Sequence, residues 1–279
     1  MPLLSVALVT LNEEENLPRT LASVAWADEV IIVDSGSTDR TVEIAREFGA
    51  TVIEREWPGF AAQKNFAISQ CSGTWILSLD ADEELSPELQ RQIRLMLPTN
   101  PPVDAYNLKR RNLFLGRWIK RGGFYPDPKL RLFRRTAASF TTTPQFEDRP
   151  VHEAITFDGA SDTLDYDIIH HAYPTLSHYI EHMDRYSNIG SAMAAERGKG
   201  LGNSYLRFFL GAFLVPHLKF IWTYFFLLGF LDGREGLLLH LYHATYTSWK
   251  FTKTWERVRR LPIKPQAPTQ IEEQHSAAA

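Results

Sequence analysis

Apolar positions in the first eighty residues fall into short runs separated by amphipathic stretches. Residues 4–11, LSVALVTL, form an almost unbroken apolar run, the pattern of a strand covered on both faces. Residues 30–34, 50–54 and 75–79 repeat that pattern. The intervening stretches predict helices over 17–26, 39–48 and 60–70. Thr38 is placed to cap the second of these and Gly49 to close it. After the fourth strand, Ser86-Pro87-Glu88 opens a further helix, with serine as N-cap and proline at the first helical position.

Four strands alternating with three helices predict an α/β fold with a doubly wound, mostly parallel sheet and helices on both faces. Right-handed crossovers then bring every strand-end loop to one edge, where open α/β sheets bind ligands. Three acidic segments converge there: 12–15, 34–39 and 80–83. The last is sharpest, because Asp80-Ala81-Asp82-Glu83 follows an apolar strand directly. In a D-x-D pair continuing a strand, both carboxylates point the same way, and hard oxygen donors suit Mg²⁺ or Mn²⁺. An Asx-turn with helix-start charges explains the same residues without a ligand. Three such strand ends around one cleft favour a nucleotide and a metal. No G-x-G-x-x-G follows the first strand and no G-x-x-x-x-G-K-[ST] occurs, which disfavours a dinucleotide dehydrogenase and a P-loop nucleotidase.

The segments VTLNEEENL, IIVDSGSTD and GFAAQKNFAISQCSGTWILSLDADE resemble family 2 glycosyltransferases of the GT-A, Rossmann-like nucleotide-sugar fold. Within that family they resemble the β-glucosyltransferases of lipopolysaccharide core biosynthesis. The likeness is close over residues 3–100 and looser through GGFYPDPKLRLFRR, VHE and GFLDGREG. It implies that Thr10 and Glu13 lie beside the base and ribose and that Asp34 helps hold the nucleotide. Ser35 stands where many relatives carry a second acid. Lys64 then faces the diphosphate, Asp80 contacts ribose, and Asp82 holds Mg²⁺ or Mn²⁺. Glu83 reads as a helix-start charge, and Glu153 falls where the family carries its general base. His152 beside it is a contact for acceptor or diphosphate.

Charge and composition add to this picture in two places. Ten lysines and arginines stand against the single acid Asp127 between residues 109 and 135, in a chain of net charge −3. Aromatic residues interleave with them, so this arm suits an anionic partner. A phosphorylated sugar or lipid headgroup fits; no nucleic-acid motif is present. Arg131 and Arg134 are the acceptor contacts expected from the arm. The second place is 205–231, the most apolar region, interrupted by Arg207, Pro216, His217 and Lys219. Read that way, residues 220–231 lie in a membrane interface or pack as a helical hairpin. His170 and His171 point to opposite faces of a strand and make a poor metal pair. The single Cys71 excludes an internal disulfide.

The organisation expected is a nucleotide-sugar-binding half over 1–100 and an acceptor-binding and catalytic half over 101–175. A helical, membrane-associating region follows over 176–264, with a disordered tail over 265–279. The first eleven residues lack a basic region and a cleavage site, so the expected location is cytoplasmic, peripheral on the inner-membrane surface. The expected activity is inverting transfer of a hexose from a nucleotide-sugar donor, UDP-linked, to an anionic, membrane-associated glycolipid such as a lipopolysaccharide inner core. Transfer to polyprenyl phosphate or to a polysaccharide, and nucleotide-sugar binding without catalysis, are the alternatives.

Overall fold

The computed structural model describes residues 2–136, 144–147, 154–157, 159–197 and 204–259. Two compact units divide the chain: Met1–Arg111 with Asp127–His170, and Asn112–Pro126 with the chain from His171 onward.

The first unit opens with β1 (Leu4–Thr10), α1 (Leu17–Val24), β2 (Glu29–Asp34), α2 (Thr41–Glu47), β3 (Thr51–Glu54), α3 (Phe60–Gln70) and β4 (Trp75–Ser78). The expected parallel, doubly wound arrangement is observed: β1 pairs in parallel with β2 and β4, and β2 with β3. Next come β5 (Glu83–Leu85), α4 (Pro87–Met96) and β6 (Ala105–Phe114); β7 (Arg117–Trp118) belongs to the second unit, and β8 (Lys129–Arg134), β9 (Gln145–Glu147), β10 (Ala154–Thr156) and β11 (Ser161–Tyr173) follow. The sheet runs β3-β2-β1-β4-β8-β6-β11-β5, with β8 antiparallel to both β4 and β6.

Both faces of the central strands are buried, as their unbroken apolar runs require. Val6, Leu8, Ile32, Trp75, Leu77 and Leu132 pack on one face with Leu17, Leu21, Ile44, Leu89 and Ile93 from α1, α2 and α4. The alternate residues Ala7, Ile31, Val33, Ile76 and Phe133 pack on the other with Ala61, Ala67 and Ile68 of α3. The period of two along each strand sorts the side chains into these two cores.

Local capping follows the sequence at one helix and departs from it at another. Ser86 caps α4, its hydroxyl accepting from the Leu89 amide at 3.3 Å, with Pro87 in the first turn. At α2 the cap expected from Thr38 is not made: the N-cap is Arg40, with no side-chain cap bond, and the Asp39 carboxylate, one residue earlier, accepts from the Thr41 amide at 3.0 Å. The Thr38 amide instead donates to Asn12 Oδ1 at 2.9 Å. Asn12 pulls the β2–α2 loop toward the β1–α1 loop, and the helix starts later for it.

The second unit is helical around a core of Phe114, Ile119, Tyr179, Met183 and Leu239. It contains α5 (Leu176–Glu196), α6 (Tyr205–Phe209), α7 (Val215–Ile221) and α8 (Gly233–Val258), with wide π-type turns at Leu210–Leu214 and Trp222–Phe226. Tyr205–Phe226 is therefore one helical stretch of 22 residues. The interruptions read from sequence do not break it. Pro216 lies inside it, just after the wide turn at Leu210–Leu214.

Candidate functional site

At the carboxyl edge of the parallel strands, the three acidic loops meet as expected. Thr10 ends β1 and Asp34 ends β2, in register with one another. Thr10 Oγ1 donates to Asp34 Oδ2 at 2.9 Å. Asp34 Oδ1 accepts from the amides of Gly36 at 3.0 Å and Ser37 at 2.8 Å, and the Ser37 hydroxyl donates to Oδ2 at 2.5 Å. The carboxylate is 1% exposed, so its acceptors are taken up in shaping the loop. Gly36, at φ 95°, allows the tight reversal. Ser35 is tied to α3 by Gln63, whose side-chain amide donates to the Ser35 hydroxyl at 3.1 Å.

The loop after β4 is anchored from α1. The buried Thr20 hydroxyl donates to the Ala81 carbonyl at 2.6 Å, and the Ser23 hydroxyl accepts from the Leu85 amide at 3.1 Å. These contacts fix the peptide between the two aspartates. Asp80 then accepts from Lys64 Nζ at 2.6 Å through one oxygen and from Arg131 through the other. Burial pushes its pKa up, but the charges of Arg131 and Lys64 outweigh that and hold it well below the usual carboxylate value.

Glu83 was read from sequence as a helix-start charge; it is instead fully buried. It accepts from Arg131 at 2.9 Å, from Arg110 at 3.2 Å, and from the Asp80 amide at 3.1 Å. Arg110 also binds Asp127 at 2.6 Å, and Lys129 lies 3.0 Å from the same carboxylate. Asp127 is thereby lowered to about 2, burial being outweighed by Arg110 and Lys129. An alternating network results: Lys64, Asp80, Arg131, Glu83, Arg110, Asp127, Lys129.

Asp82 stands apart from this chain of ion pairs. Its side chain is 28% exposed and Oδ2 lies 3.2 Å from His170 Nε2. Burial raises its pKa, and the bond and charge of His170 more than offset the rise. Glu13 senses the same region. Its pKa is raised, first by burial and then by the negative charges of Asp82, Asp39 and Asp80, against a 2.9 Å bond from Asn16.

The structure thus brings together Thr10, Glu13, Asp34, Lys64, Asp80 and Asp82. Arg131 and Arg134 differ from expectation. Arg131 is 5% exposed and committed to Asp80 and Glu83, so it braces the strand edge and is not presented to an acceptor. Arg134 binds Asn100 Oδ1 at 2.8 Å and the Pro101 carbonyl at 2.9 Å, lies 3.4 Å from Asp104, and stacks over Trp75. Sequence reasoning missed Arg110, the burial of Glu83 and the contact of His170 with Asp82. Antiparallel pairing of β11 with β5, which sets His170 opposite Glu83, creates that contact, and nothing local to His170 signals it. His152 and Glu153 lie outside the described residues.

Among the described residues no group of three His, Cys, Asp or Glu side chains is arranged to hold a metal ion. The donor chemistry fits a cation nonetheless. Mg²⁺ is commonly held by one or two carboxylates with substrate phosphates completing its shell. Asp82 offers a part-exposed carboxylate, and its charge adds to the burial that raises Glu13.

Comparison with known proteins bears on this geometry. Residues 5–158 match the model of the family described as glycosyl transferase family 2. An uncharacterized glycosyltransferase of Rickettsia prowazekii is 33% identical over 213 residues, 73% of this chain and 72% of that protein. Another from Rickettsia typhi is 39% identical over 56% of this chain, a match spanning 54% of that relative. The lipopolysaccharide core biosynthesis glycosyltransferase LpsC of Rhizobium meliloti is 27% identical over 91% of this chain and 92% of its own length. The nucleotide-sugar fold expected from sequence, the acid-lined strand edge and these matches agree, and the chain belongs to glycosyl transferase family 2.

Proposed function

We propose that this protein is an inverting, metal-dependent hexosyltransferase. It moves a sugar from a UDP-linked donor to an anionic, membrane-associated glycolipid, with a lipopolysaccharide inner core as the fitting acceptor class. One observation carries the reading. Asp80 is pinned by Lys64 and Arg131 at the strand edge while Asp82, two residues on, stays part-exposed beside the acidic Glu13.

Each group then has a task. Glu13 lies beside the base and ribose. Thr10 and Asp34 act through the Gly36–Ser37 loop they hold, which forms a wall of the nucleotide pocket. Asp80 accepts from a ribose hydroxyl with its charge already offset, and Lys64 provides positive potential for the diphosphate. Asp82 would hold Mg²⁺ or Mn²⁺, whose charge would stabilise the departing nucleoside diphosphate. Single-displacement inversion also needs the proton taken from the acceptor hydroxyl as the new bond forms. Glu153, at the family's position for that base, is assigned the role. Asp127 is the rival carboxylate, but a group held at about 2 by Arg110 and Lys129 is a weak base at neutral pH. LpsC, similar along most of this chain, supports the acceptor class.

The test is donor turnover. Purified protein incubated with a panel of UDP-sugars and Mn²⁺ should release UDP slowly from one of them without acceptor. Asp82→Asn should abolish that release, and EDTA should suppress it. Turnover in excess EDTA equal to that with Mn²⁺ would remove the metal from the proposal.

A further inference from the structure

We infer that the outer helix of the second unit, Tyr205–Phe226, together with the turn after it, embeds in the hydrocarbon of one leaflet of a lipid bilayer. The inference concerns attachment only and is independent of the sugar chemistry.

The first observation is how little protein covers this helix. Its most apolar window has a mean hydropathy of 1.3 and is 11% buried. Exposure is not confined to one stripe. Phe213, Leu214 and Val215 are 50%, 37% and 41% exposed, and Phe225 through Leu228 are 53%, 66%, 37% and 40% exposed. Three consecutive residues at steps of about 100° sweep roughly 200° of a helix. A second copy of the chain would dry one face and leave the remainder wet. A helix apolar over most of its circumference is matched by a surrounding apolar fluid. The surface continues over Phe230 and Leu231 and onto Leu237 and Leu241 of α8, far beyond the isolated apolar residues normal for a soluble surface.

The second observation is where the polar groups go. No acid occurs between residues 204 and 231, and Arg207 and Lys219 are the basic residues there. Lys219 turns inward: Nζ lies 3.1 Å from His243 Nε2 and 3.5 Å from Thr247 Oγ1 on α8. The Ser248 hydroxyl donates to the Ala212 carbonyl at 2.6 Å, and Thr223 donates to the Lys219 carbonyl at 3.0 Å. His217 bonds the Phe213 carbonyl through Nδ1 at 2.7 Å. These four, paired within the helical hairpin, suit a segment in hydrocarbon, and exposed Arg207 stands near the helix start, where its long stem can carry the charge to the headgroups.

The third observation limits the depth. At about 1.5 Å per residue the 22-residue helix is roughly 33 Å long, enough to cross a bilayer. Yet α8 packs between this helix and α5, joined to α5 by Lys253, which bonds Asp184 at 2.6 Å and Ser187 at 2.7 Å. Glu181, Asp184, Arg185 and Glu196 of α5 are exposed. Upright insertion of the three-helix stack would carry these charges into hydrocarbon. Lying in the plane immerses the outer helix and leaves α5 in water.

Flotation of the full chain with phosphatidylcholine vesicles, which carry no net charge, tests the inference. The bound fraction should agree within about twofold between 0.15 M and 1 M NaCl. Phe213→Glu with Leu218→Glu, both at exposed positions, should lower it at least tenfold while leaving the circular dichroism unchanged. A Phe213→Trp variant should be quenched more by lipids brominated near the headgroup than by lipids brominated at the chain ends. Loss of binding in 1 M NaCl would mean charge holds the protein, and binding by the double glutamate variant would place the contact elsewhere. Absence of vesicle binding in a dimer that this variant converts to monomer would put a second copy on the face. Strongest quenching at the bilayer centre would replace the in-plane arrangement by a spanning one.

Discussion

Glu13 is a carboxylate in an environment that disfavours its charge. Burial and the neighbouring Asp82, Asp39 and Asp80 raise its pKa, so the folded chain holds that proton more tightly than the unfolded one. Such a group costs stability above its folded pKa and returns it as pH falls through that value. Glu13→Gln should therefore raise the urea midpoint at pH 7 while reducing UDP release, a trade expected where function maintains repulsion. A variant less stable than wild type at pH 7 would show that the Asn16 bond outweighs the repulsion. The proposed base is decided at the same scale. Glu153→Gln should keep Mn²⁺-dependent donor binding and lower transfer at least ~100-fold, within the usual worth of general base catalysis. Asp127→Asn should transfer within a few-fold of wild type, because its carboxylate is committed to Arg110 and Lys129. The reverse result would exchange the two roles.

Elements were more legible than the contacts between them. Strands β1 to β4 and the helices between them announce themselves because both sheet faces are buried and their apolar runs are uninterrupted. The acid-ended loops follow, since parallel topology sends every one of them to the same edge. What sequence could not show is long-range pairing. Glu83 looks like a helix-start charge until β6 and β8 bring Arg110 and Arg131 against it, and Lys219 looks like a break in an apolar run until α8 receives it. The looser motifs GGFYPDPKLRLFRR and GFLDGREG also gain a purpose only in three dimensions. Asp232 accepts from the amides of Lys120 at 3.1 Å and Arg121 at 2.7 Å, and the Gly122 amide donates to the Leu227 carbonyl at 3.0 Å. Gly122 sits at φ 70° against the His240 ring, which a Cβ would strike. Gly122→Ala should cost the second unit about 2–4 kcal/mol through backbone strain and overpacking. Gly116→Ala, at φ 78° with open space around it, should cost about 1 kcal/mol. Equal losses, read by thermal melting followed through circular dichroism, would show that contact with His240 is unimportant.

At the scale of the whole molecule, the basic arm becomes an internal counterweight. The +9 between residues 109 and 135 suggested an anionic partner, yet acids distant in sequence neutralise much of it: Arg111 pairs with Asp167 at 2.7 Å, Arg134 with Asp104 at 3.4 Å, Arg117 with Glu235 at 3.6 Å, and Arg131 with Asp80 and Glu83. Acid stability should register this arrangement. Asp80, Asp82 and Asp127 all have folded pKa values below the ordinary aspartate value of 3.8, Asp127 at about 2. For depressed carboxylates the stabilisation is fully present above the unfolded pKa and is lost as pH falls through the folded one. The urea midpoint should therefore hold from pH 7 to about pH 5 and fall between roughly pH 4 and pH 2. Asp127 is 28% exposed, and a depression of nearly two pH units corresponds to about 2 kcal/mol before any allowance for solvent screening. Asp127→Asn should lower stability at pH 7 by no more than that and flatten the acid limb by the same amount. Arg131→Met leaves Asp80 and Glu83 without their shared partner, a loss of about 3–5 kcal/mol for a broken buried pair. Its deficit should shrink as pH drops and Asp80 protonates. An Arg131→Met deficit unchanged between pH 7 and pH 3 would mean that Arg131 contributes through packing of its stem rather than through charge.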